Sequence, residues 1–323
     1  MIRLDNVSKV YGDGTEAVSD VSFEVPKGDV ATLVGPSGCG KTTTMKMINA
    51  LIEPTEGTVY VDGTPIDEVD PIELRRNVGY VIQEIGLFSH MTVAENVGIV
   101  PDVIGWDDDR IDERVTELLD LIRLPPDVRE KYPTELSGGQ RQRVGVARAL
   151  AARPEVVLMD EPFGALDPIT REELQDEFLR IQDELDVTIA FVTHDIDEAI
   201  KMGDRVAVMN EGRLVQYDRP RKLLAEPANE FVESFVGEDR LLKRLQTVSV
   251  REAMSDRPDV AEKTPRTVHP DDSLKTAIQR LFASNRPTLS VVVNGEIVGE
   301  LSEDDVRAAV ESDGDPVLEG NHA

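Results

Sequence analysis

The segment Gly35-Pro36-Ser37-Gly38-Cys39-Gly40-Lys41-Thr42 satisfies the spacing G-x-x-x-x-G-K-[ST]. These residue types suit phosphate chemistry. Glycines let backbone N–H groups turn toward an anion, and a helix starting at the lysine adds its own positive end. Lys41 then reaches β- and γ-phosphates, and the Thr42 hydroxyl is a ligand for Mg²⁺. Farther on, Val156-Val157-Leu158-Met159-Asp160-Glu161 is an apolar run ending in two carboxylates. Beside a phosphate-binding loop the first of these, Asp160, supports Mg²⁺. The second, Glu161, is placed to polarise an attacking water. Leu136-Ser137-Gly138-Gly139-Gln140 precedes a helical run from Arg141 to Leu150. Ser137 can cap that helix, and the glycines leave its first amides open to another anion.

Such residues need a scaffold of strands ending in loops. Val30–Val34 reads as a buried strand running into the Gly-rich turn, followed by a helix from Lys41 to about Leu51. Val78–Ile82, Val156–Met159 and Thr188–Val192 are further strand candidates. Helical patterns lie between them at Ile111–Ile122, Gly139–Ala152, Arg171–Leu185 and Ile196–Met202. This alternation predicts an α/β fold with a mainly parallel core sheet covered by helices. The start of the chain and Val21–Val25 read as an added antiparallel β layer.

With these motifs in this order the chain resembles an ABC-type ATPase, a P-loop NTPase whose signature, LSGGQ, stands unaltered at residues 136–140. The resemblance covers residues 1–236 and implies an antiparallel β layer and a helical subdomain beside the core sheet. It implies ATP and Mg²⁺ as cofactors. It further implies that Ser137, Gly138, Gly139 and Gln140 contact ATP held by the loop of a second copy, in a head-to-tail homodimer with two ATP at the interface. Tyr11 matches the aromatic that stacks on adenine, and Gly35 through Thr43, with Pro36, Ser37, Gly38, Cys39, Gly40, Lys41 and Thr42, match the phosphate-binding residues. Gln83 matches the loop glutamine that contacts Mg²⁺, alongside Thr42 and Asp160. Asp167, in Ala165-Leu166-Asp167, matches the loop that communicates across the dimer. His194, in Thr193-His194-Asp195, matches the switch histidine, so that Glu161, His194 and Gln83 form the implied catalytic set. Cys39 reads as a small filler in a loop whose backbone does the work.

The chain has 323 residues and a formal net charge of −28. That balance argues against nucleic acid as a partner, because no positive field would gather its phosphates. The excess is even: residues 247–323 carry 8 basic and 15 acidic residues, close to the average of the rest. Only 10 of the 35 basic residues are lysine. Few lysines and many carboxylates suggest adaptation to high salt. A single cysteine excludes Cys-rich metal sites, and four scattered histidines suggest no cluster. No apolar run approaches the roughly 18–20 residues of a membrane helix. The expectation is a peripheral protein on the cytoplasmic face of the membrane.

Within the ABC ATPases, 95 residues separate Lys41 from Leu136, with no heptad run between them. That excludes the coiled-coil insertion of DNA-repair types, and one set of motifs excludes the two-cassette translation factors. An importer or exporter motor remains; with no membrane span in the chain the permease is expected as a separate polypeptide, the pattern typical of the importer branch, which also works with a solute-binding protein. The segment from Val81 to Thr92, the pairs Val100-Pro101 and Gly105-Trp106, and Glu226–Leu241 are similar to quaternary-amine (glycine betaine, choline, carnitine, proline) importer ATPases. Glu84 and Ser89 depart from that pattern, where Gln and Pro are usual. Importers for another small solute, such as an amino acid or polyamine, stay open, as does a soluble non-transport ABC ATPase.

Residues 237–246 read as a connecting helix. Residues 247–311 predict the order β-α-β-β-α. Its elements are Thr267-Val268, Ser273 to about Ala283, the strands Leu289–Val293 and Glu296–Leu301 around the turn Asn294-Gly295, and a helix capped by Ser302 with Asp305. This unit resembles a single CBS module, a small α+β fold, and implies a regulatory nucleotide as its ligand. The net −7 of residues 247–323 opposes attraction to an anionic leaflet. Residues 312–323 read as an acidic disordered tail.

Overall fold

The computed structural model describes residues 1–83, 85–255, 266–284 and 287–311. It divides into two compact units, Met1–Arg219 and Pro220–Ala323. Glu84, the stretch Asp256–Thr264 and the expected tail lie outside the described residues.

The first unit opens with β1 (Ile2–Val10) and β2 (Glu16–Val25). Apolar residues alternate along both, and Ile2, Leu4, Val21, Phe23 and Val25 are buried while their neighbours face water, the pattern of a sheet covered on one face. The strand β3 (Val30–Val34) is buried at every position and runs into the loop that precedes α1 (Lys41–Ile48). This helix stops three residues before the predicted Leu51, because Ala50 turns left-handed at φ 47° and Ala50 and Leu51 close onto Met47 and Lys46 carbonyls. Then follow β4 (Glu56–Val61), β5 (Thr64–Pro65), α2 (Pro71–Asn77) and β6 (Val78–Val81). The helical part comprises α3 (Val93–Val103), α4 (Asp108–Leu121) and α5 (Gly138–Leu150), packed around Val97, Val115, Leu118 and Val144. Thr92 and Glu95 cap α3 reciprocally, a start signal that sequence analysis passed over.

Next come β7 (Val156–Asp160), α6 (Pro168–Leu185), β8 (Thr188–Thr193) and α7 (Ile196–Met202). The hairpin β9 (Arg205–Asn210) and β10 (Arg213–Asp218) completes the unit. β1, β2, β4 and β5 form an antiparallel sheet in the order β2-β1-β4-β5. The core sheet runs β10-β9-β3-β8-β7-β6, parallel from β9 to β6 with β10 antiparallel at the edge. The parallel core, the antiparallel layer and the helical part were all expected. The β9–β10 hairpin was not. Its turn is Glu211-Gly212, both at positive φ, where the usual Asn-Gly or Asp-Gly signal is absent. Parallel strands end on one edge, so the loops after β3, β6, β7 and β8 gather there.

The second unit holds α8 (Pro220–Ala225), α9 (Glu230–Val236), α10 (Arg240–Thr247) and α11 (Val250–Ala253). They precede β11 (Thr267–Val268), α12 (Leu274–Ser284), β12 (Thr288–Val293), β13 (Glu296–Ser302) and α13 (Glu303–Glu311). The β-α-β-β-α order appears as expected, with β11 parallel and β13 antiparallel to β12. Asn294 and Gly295 both take positive φ in the β12–β13 turn. Ser302 and Asp305 exchange hydrogen bonds as a capping pair. Leu245, Val250, Val268, Leu274, Leu289, Val291 and Leu301 form the core, so the segment expected as a connecting helix contributes Leu245 to it.

Arg221 of α8 joins these helices. Its guanidinium donates to the Thr247 carbonyl at 2.8 and 2.6 Å and to both carboxylate oxygens of Glu252. Hydrogen bonding from Arg221 holds the Glu252 carboxyl down at about 2, against an ordinary 4.5. A depressed folded-state pKa stabilises the fold fully above the ordinary value, and the contribution is lost as pH falls from there toward about 2. Urea unfolding at pH 6 and pH 3 should therefore show a smaller acid-induced loss in Glu252→Gln than in the parent chain. Equal losses in the two would mean that this pair does not contribute.

Candidate active site

The loop between β3 and α1 is shaped by its surroundings. Gly40 caps α1 in the left-handed region at φ 101°, with no side chain closing the helix end. Among the described residues, the amides of Gly40, Lys41, Thr42 and Thr43 have no acceptor within the chain. Four unpartnered N–H groups at a helix start are a ready anion site. Lys41 is buried, and its ammonium is held at 2.7 Å from the Gly35 carbonyl and 3.0 Å from that of Pro36. The Cys39 sulfur is 3.8 Å from the same ammonium and is buried, in keeping with a filler.

Strand ends bring the other groups to this edge. The Thr42 hydroxyl donates to Asp160 Oδ1 at 3.2 Å. Burial pushes the Asp160 carboxyl above the usual range, opposed by the Thr42 hydrogen bond and reinforced by the Glu161 charge. A carboxylate withheld from water beside a second one favours a cation. A hydroxyl and one carboxylate also match the few protein ligands that Mg²⁺ takes when phosphates and water supply the rest. These residues therefore fit both a nucleoside triphosphate and Mg²⁺.

Glu161 follows β7 with φ 46°, a left-handed conformation that costs a non-glycine residue about 1 kcal/mol or more. Its amide is held by the Val192 carbonyl at 2.9 Å, and its carbonyl accepts from Gly164. The turn places the carboxylate between two loops. Glu161 Oε2 accepts from Gln83 Nε2 at 3.3 Å and lies 3.1 Å from His194 Nδ1. Gln83 follows β6 and His194 follows β8, the strands that flank β7 in pairing order. Three residues far apart in sequence thus meet on one oxygen. Such a carboxylate can take a proton from water while its neighbours hold its orientation.

The remaining predicted residues lie elsewhere in the unit. Ser137 caps α5 and exchanges hydrogen bonds with Gln140 at 3.0 and 3.2 Å. Asp167 caps α6 through Thr170, which holds its carboxyl below the usual range. These two helix starts pack together: a Cβ on Gly139 would come within 2.8 Å of the Thr170 methyl, and one on Gly138 would touch Leu166. Tyr11 is partly exposed after β1, with the Lys9 ammonium 5.7 Å from its ring centre. Among the described residues, no hydrogen bond joins Tyr11 or Ser137–Gln140 to the Lys41–Glu161 cluster.

Sequence analysis missed two supports of this site. Arg148 of α5 donates to the Ile85 and Gly86 carbonyls, both at 2.7 Å, and pins the loop after Gln83. The Met209 carbonyl of β9 lies against Gly35, only 2.1 Å from where a Cβ would stand. Neither had a local signal, since each acts through a partner more than 60 residues away.

Comparison with known proteins agrees with this geometry. Residues 18–164 match the family model described as ABC transporter, and residues 250–312 match that described as CBS domain. The chain is 51% identical over 292 residues to the glycine betaine/carnitine/choline transport ATP-binding protein OpuCA of Bacillus subtilis, covering 90% of this chain and 75% of that protein. It is 47% identical over 317 residues to the osmoprotectant import ATP-binding protein OsmV of Salmonella typhimurium, covering 96% and 81%. Among solved structures, the ATP-binding cassette MJ0796, a dimer in a post-hydrolysis state with ADP and phosphate, aligns with a TM-score of 0.62 at 33% identity, over 68% of this chain and 99% of that one. Among the described residues no helix is long and apolar enough to cross a membrane. The chain belongs to the ATP-hydrolysing subunits of ABC transporters, in the branch that holds the betaine, carnitine, choline and osmoprotectant importers, and carries a CBS domain behind its ATPase.

Proposed function

We propose that this subunit drives uptake of a compatible solute such as glycine betaine or another quaternary amine, from the cytoplasmic face of the membrane, with separate permease subunits and a solute-binding protein. The observation that carries this reading is that relatives named for such solutes match over 90% and 96% of the chain, more than the ATPase part alone spans.

The loop amides and Lys41 bind the ATP phosphates, and Tyr11 stacks on the adenine. Thr42, Asp160 and Gln83 hold Mg²⁺, which when bound neutralises charge on the phosphates. Ser137, Gly138, Gly139 and Gln140 complete the site of a second copy in a head-to-tail dimer, and Asp167 faces across that interface. Glu161 takes the proton of the attacking water, Gln83 and His194 hold its carboxylate, and His194 contacts the γ-phosphate. ATP closes the dimer and hydrolysis reopens it, and the permease follows. Residues 1–236 act as the motor and 247–311 as a regulatory module that takes a nucleotide.

The even acidic surface is an adaptation to high salt, since screening relieves repulsion among its charges. The melting temperature should rise from dilute buffer to molar KCl, and a fall would remove that reading. The test of the solute is uptake. The subunit, expressed with its permease and binding protein in a host lacking betaine transport, should confer ATP-dependent uptake of labelled glycine betaine. Uptake of spermidine or an amino acid in its place would reassign the solute.

A further inference from the structure

Beneath the exposed edge that carries His194 lies a buried polar network outside the phosphate and water contacts. Thr193 at the end of β8 is 1% exposed, Glu198 of α7 is 8% exposed and Gln175 of α6 is 6% exposed. The Thr193 hydroxyl oxygen accepts the Asp195 amide at 3.0 Å, and its proton goes to Glu198 Oε2. Gln175 Nε2 donates to Glu198 Oε1 at 2.9 Å. The Asp195 carboxylate in turn accepts the amides of Asp197 and Glu198 at 2.9 and 3.3 Å. The turn Thr193-His194-Asp195 is therefore closed from both sides, and His194 projects from it to Glu161 at 3.1 Å. Burial, with the nearby Asp195 charge, pushes the Glu198 carboxyl above the usual range, opposed by Thr193, Gln175 and Arg171. A buried carboxyl is costly in an ordinary helix face, and here both its oxygens are used. Gln175 lies on the helix capped by Asp167, about 12 Å of rise beyond that cap.

We propose that Glu198 is a positioning residue for hydrolysis: through Thr193 it fixes the turn that aims His194 at Glu161, and through Gln175 it ties that turn to the helix capped by Asp167. The inference rests on the reading of Glu161 and His194 as hydrolytic residues. A leucine at 198 keeps the volume and serves neither partner, whereas a glutamine serves both once the Gln175 amide turns its oxygen toward the new NH2 while Thr193 still donates to the oxygen at 198. In the swap Gln175→Glu with Glu198→Gln, the carboxylate at 175 accepts from the amide at 198, whose oxygen still accepts from Thr193.

The full purified chain is compared as parent, Glu198→Leu, Glu198→Gln, Thr193→Val, the swap and His194→Ala. Glu198→Leu and Thr193→Val should lower kcat roughly 10- to 100-fold, because small misplacements of catalytic groups are that costly. KM for ATP should stay within about threefold, as befits an effect on the chemical step. Glu198→Gln and the swap should recover most of the loss. The second readout is ¹⁵N NMR of labelled histidine, simple in a chain with four. The His194 imidazole signals should move in Glu198→Leu while those of His90 and His269 stay. If Glu198→Leu does not fold, Thr193→Val carries the same comparison. An unmoved His194 signal, or turnover in the variant that lacks these contacts within about threefold of the parent, overturns the inference when His194→Ala is slow. A swap no faster than Glu198→Leu does the same. Normal turnover in His194→Ala overturns the hydrolytic reading and the inference with it.

Discussion

Glu161→Gln should keep its affinity for MgATP and lose turnover by on the order of 100- to 10,000-fold, the range that a positioned general base supplies. The substitution preserves volume and removes the proton acceptor. It also changes the local hydrogen bonding. Gln83 Nε2 and His194 Nδ1 now converge on Glu161 Oε2, at 3.3 and 3.1 Å. An amide can satisfy them through its oxygen only by turning its NH2 toward the water side. Lys41, the loop amides and the Thr42–Asp160 pair make no hydrogen bond to Glu161, and Gln83, which does, can still donate to the amide oxygen. Binding without turnover should leave the ATP-bound dimer as the long-lived species. Phosphate release and size exclusion with MgATP check this together. Turnover within a few-fold of the parent, with no dimer, would remove Glu161 as the base and return the question to His194.

Gly35→Ala should cost roughly 3 kcal/mol of stability and most of the affinity for nucleotide, from the sum of a backbone collision and an unfavourable φ. Gly35 sits at φ 156°, and a Cβ there would stand 2.1 Å from the Met209 carbonyl oxygen and 2.8 Å from the Cys39 sulfur. The sulfur can rotate. The carbonyl belongs to β9, whose Val208 pairs in register with Val34, so it yields only if the sheet opens or the loop lifts. Lifting the loop moves the Gly35 and Pro36 carbonyls that hold Lys41, and with them the helix start. Thermal unfolding with and without nucleotide separates the two effects. A variant that melts like the parent and gains the same stability from ATP would show that the loop tolerates the shift. By contrast, a Cβ on Gly38 meets nothing within 4 Å, so Gly38→Ala carries only the conformational cost of its φ of 80°.

Much of this site is legible in the sequence. The Gly-rich loop, Asp160-Glu161 and the capped start of α5 are local patterns, each dictated by residue types a few positions apart. The parallel strands were legible for the same reason, since a buried strand of a doubly covered sheet reads as a nearly continuous apolar run, as in Val30–Val34, interrupted only by Thr32, and in Thr188–Thr193, where threonines flank four apolar residues. The hairpin of β9 and β10 was not, because its turn, Glu211-Gly212, lacks the usual residues and its edge strand β10 is only partly covered. The second unit was read in its order of elements from the Asn294-Gly295 turn and the Ser302–Asp305 cap.

From the sequence alone came the chemical inventory: which residues can cradle phosphate, hold a cation and take a proton, and that a second small domain follows. Tertiary structure decided which of them meet. Gln83, Glu161 and His194 share one carboxylate oxygen because β6, β7 and β8 are adjacent and parallel, an ordering that no local pattern encodes. It also decided why Gly35 must be glycine, through a carbonyl 174 positions away, and it revealed Glu198 as a buried hub in place of one more acidic residue in a chain of net charge −28. The physical reason is range. Propensity, capping and turn chemistry act within a few residues. Burial and hydrogen bonds between strands depend on neighbours that only the folded sheet supplies.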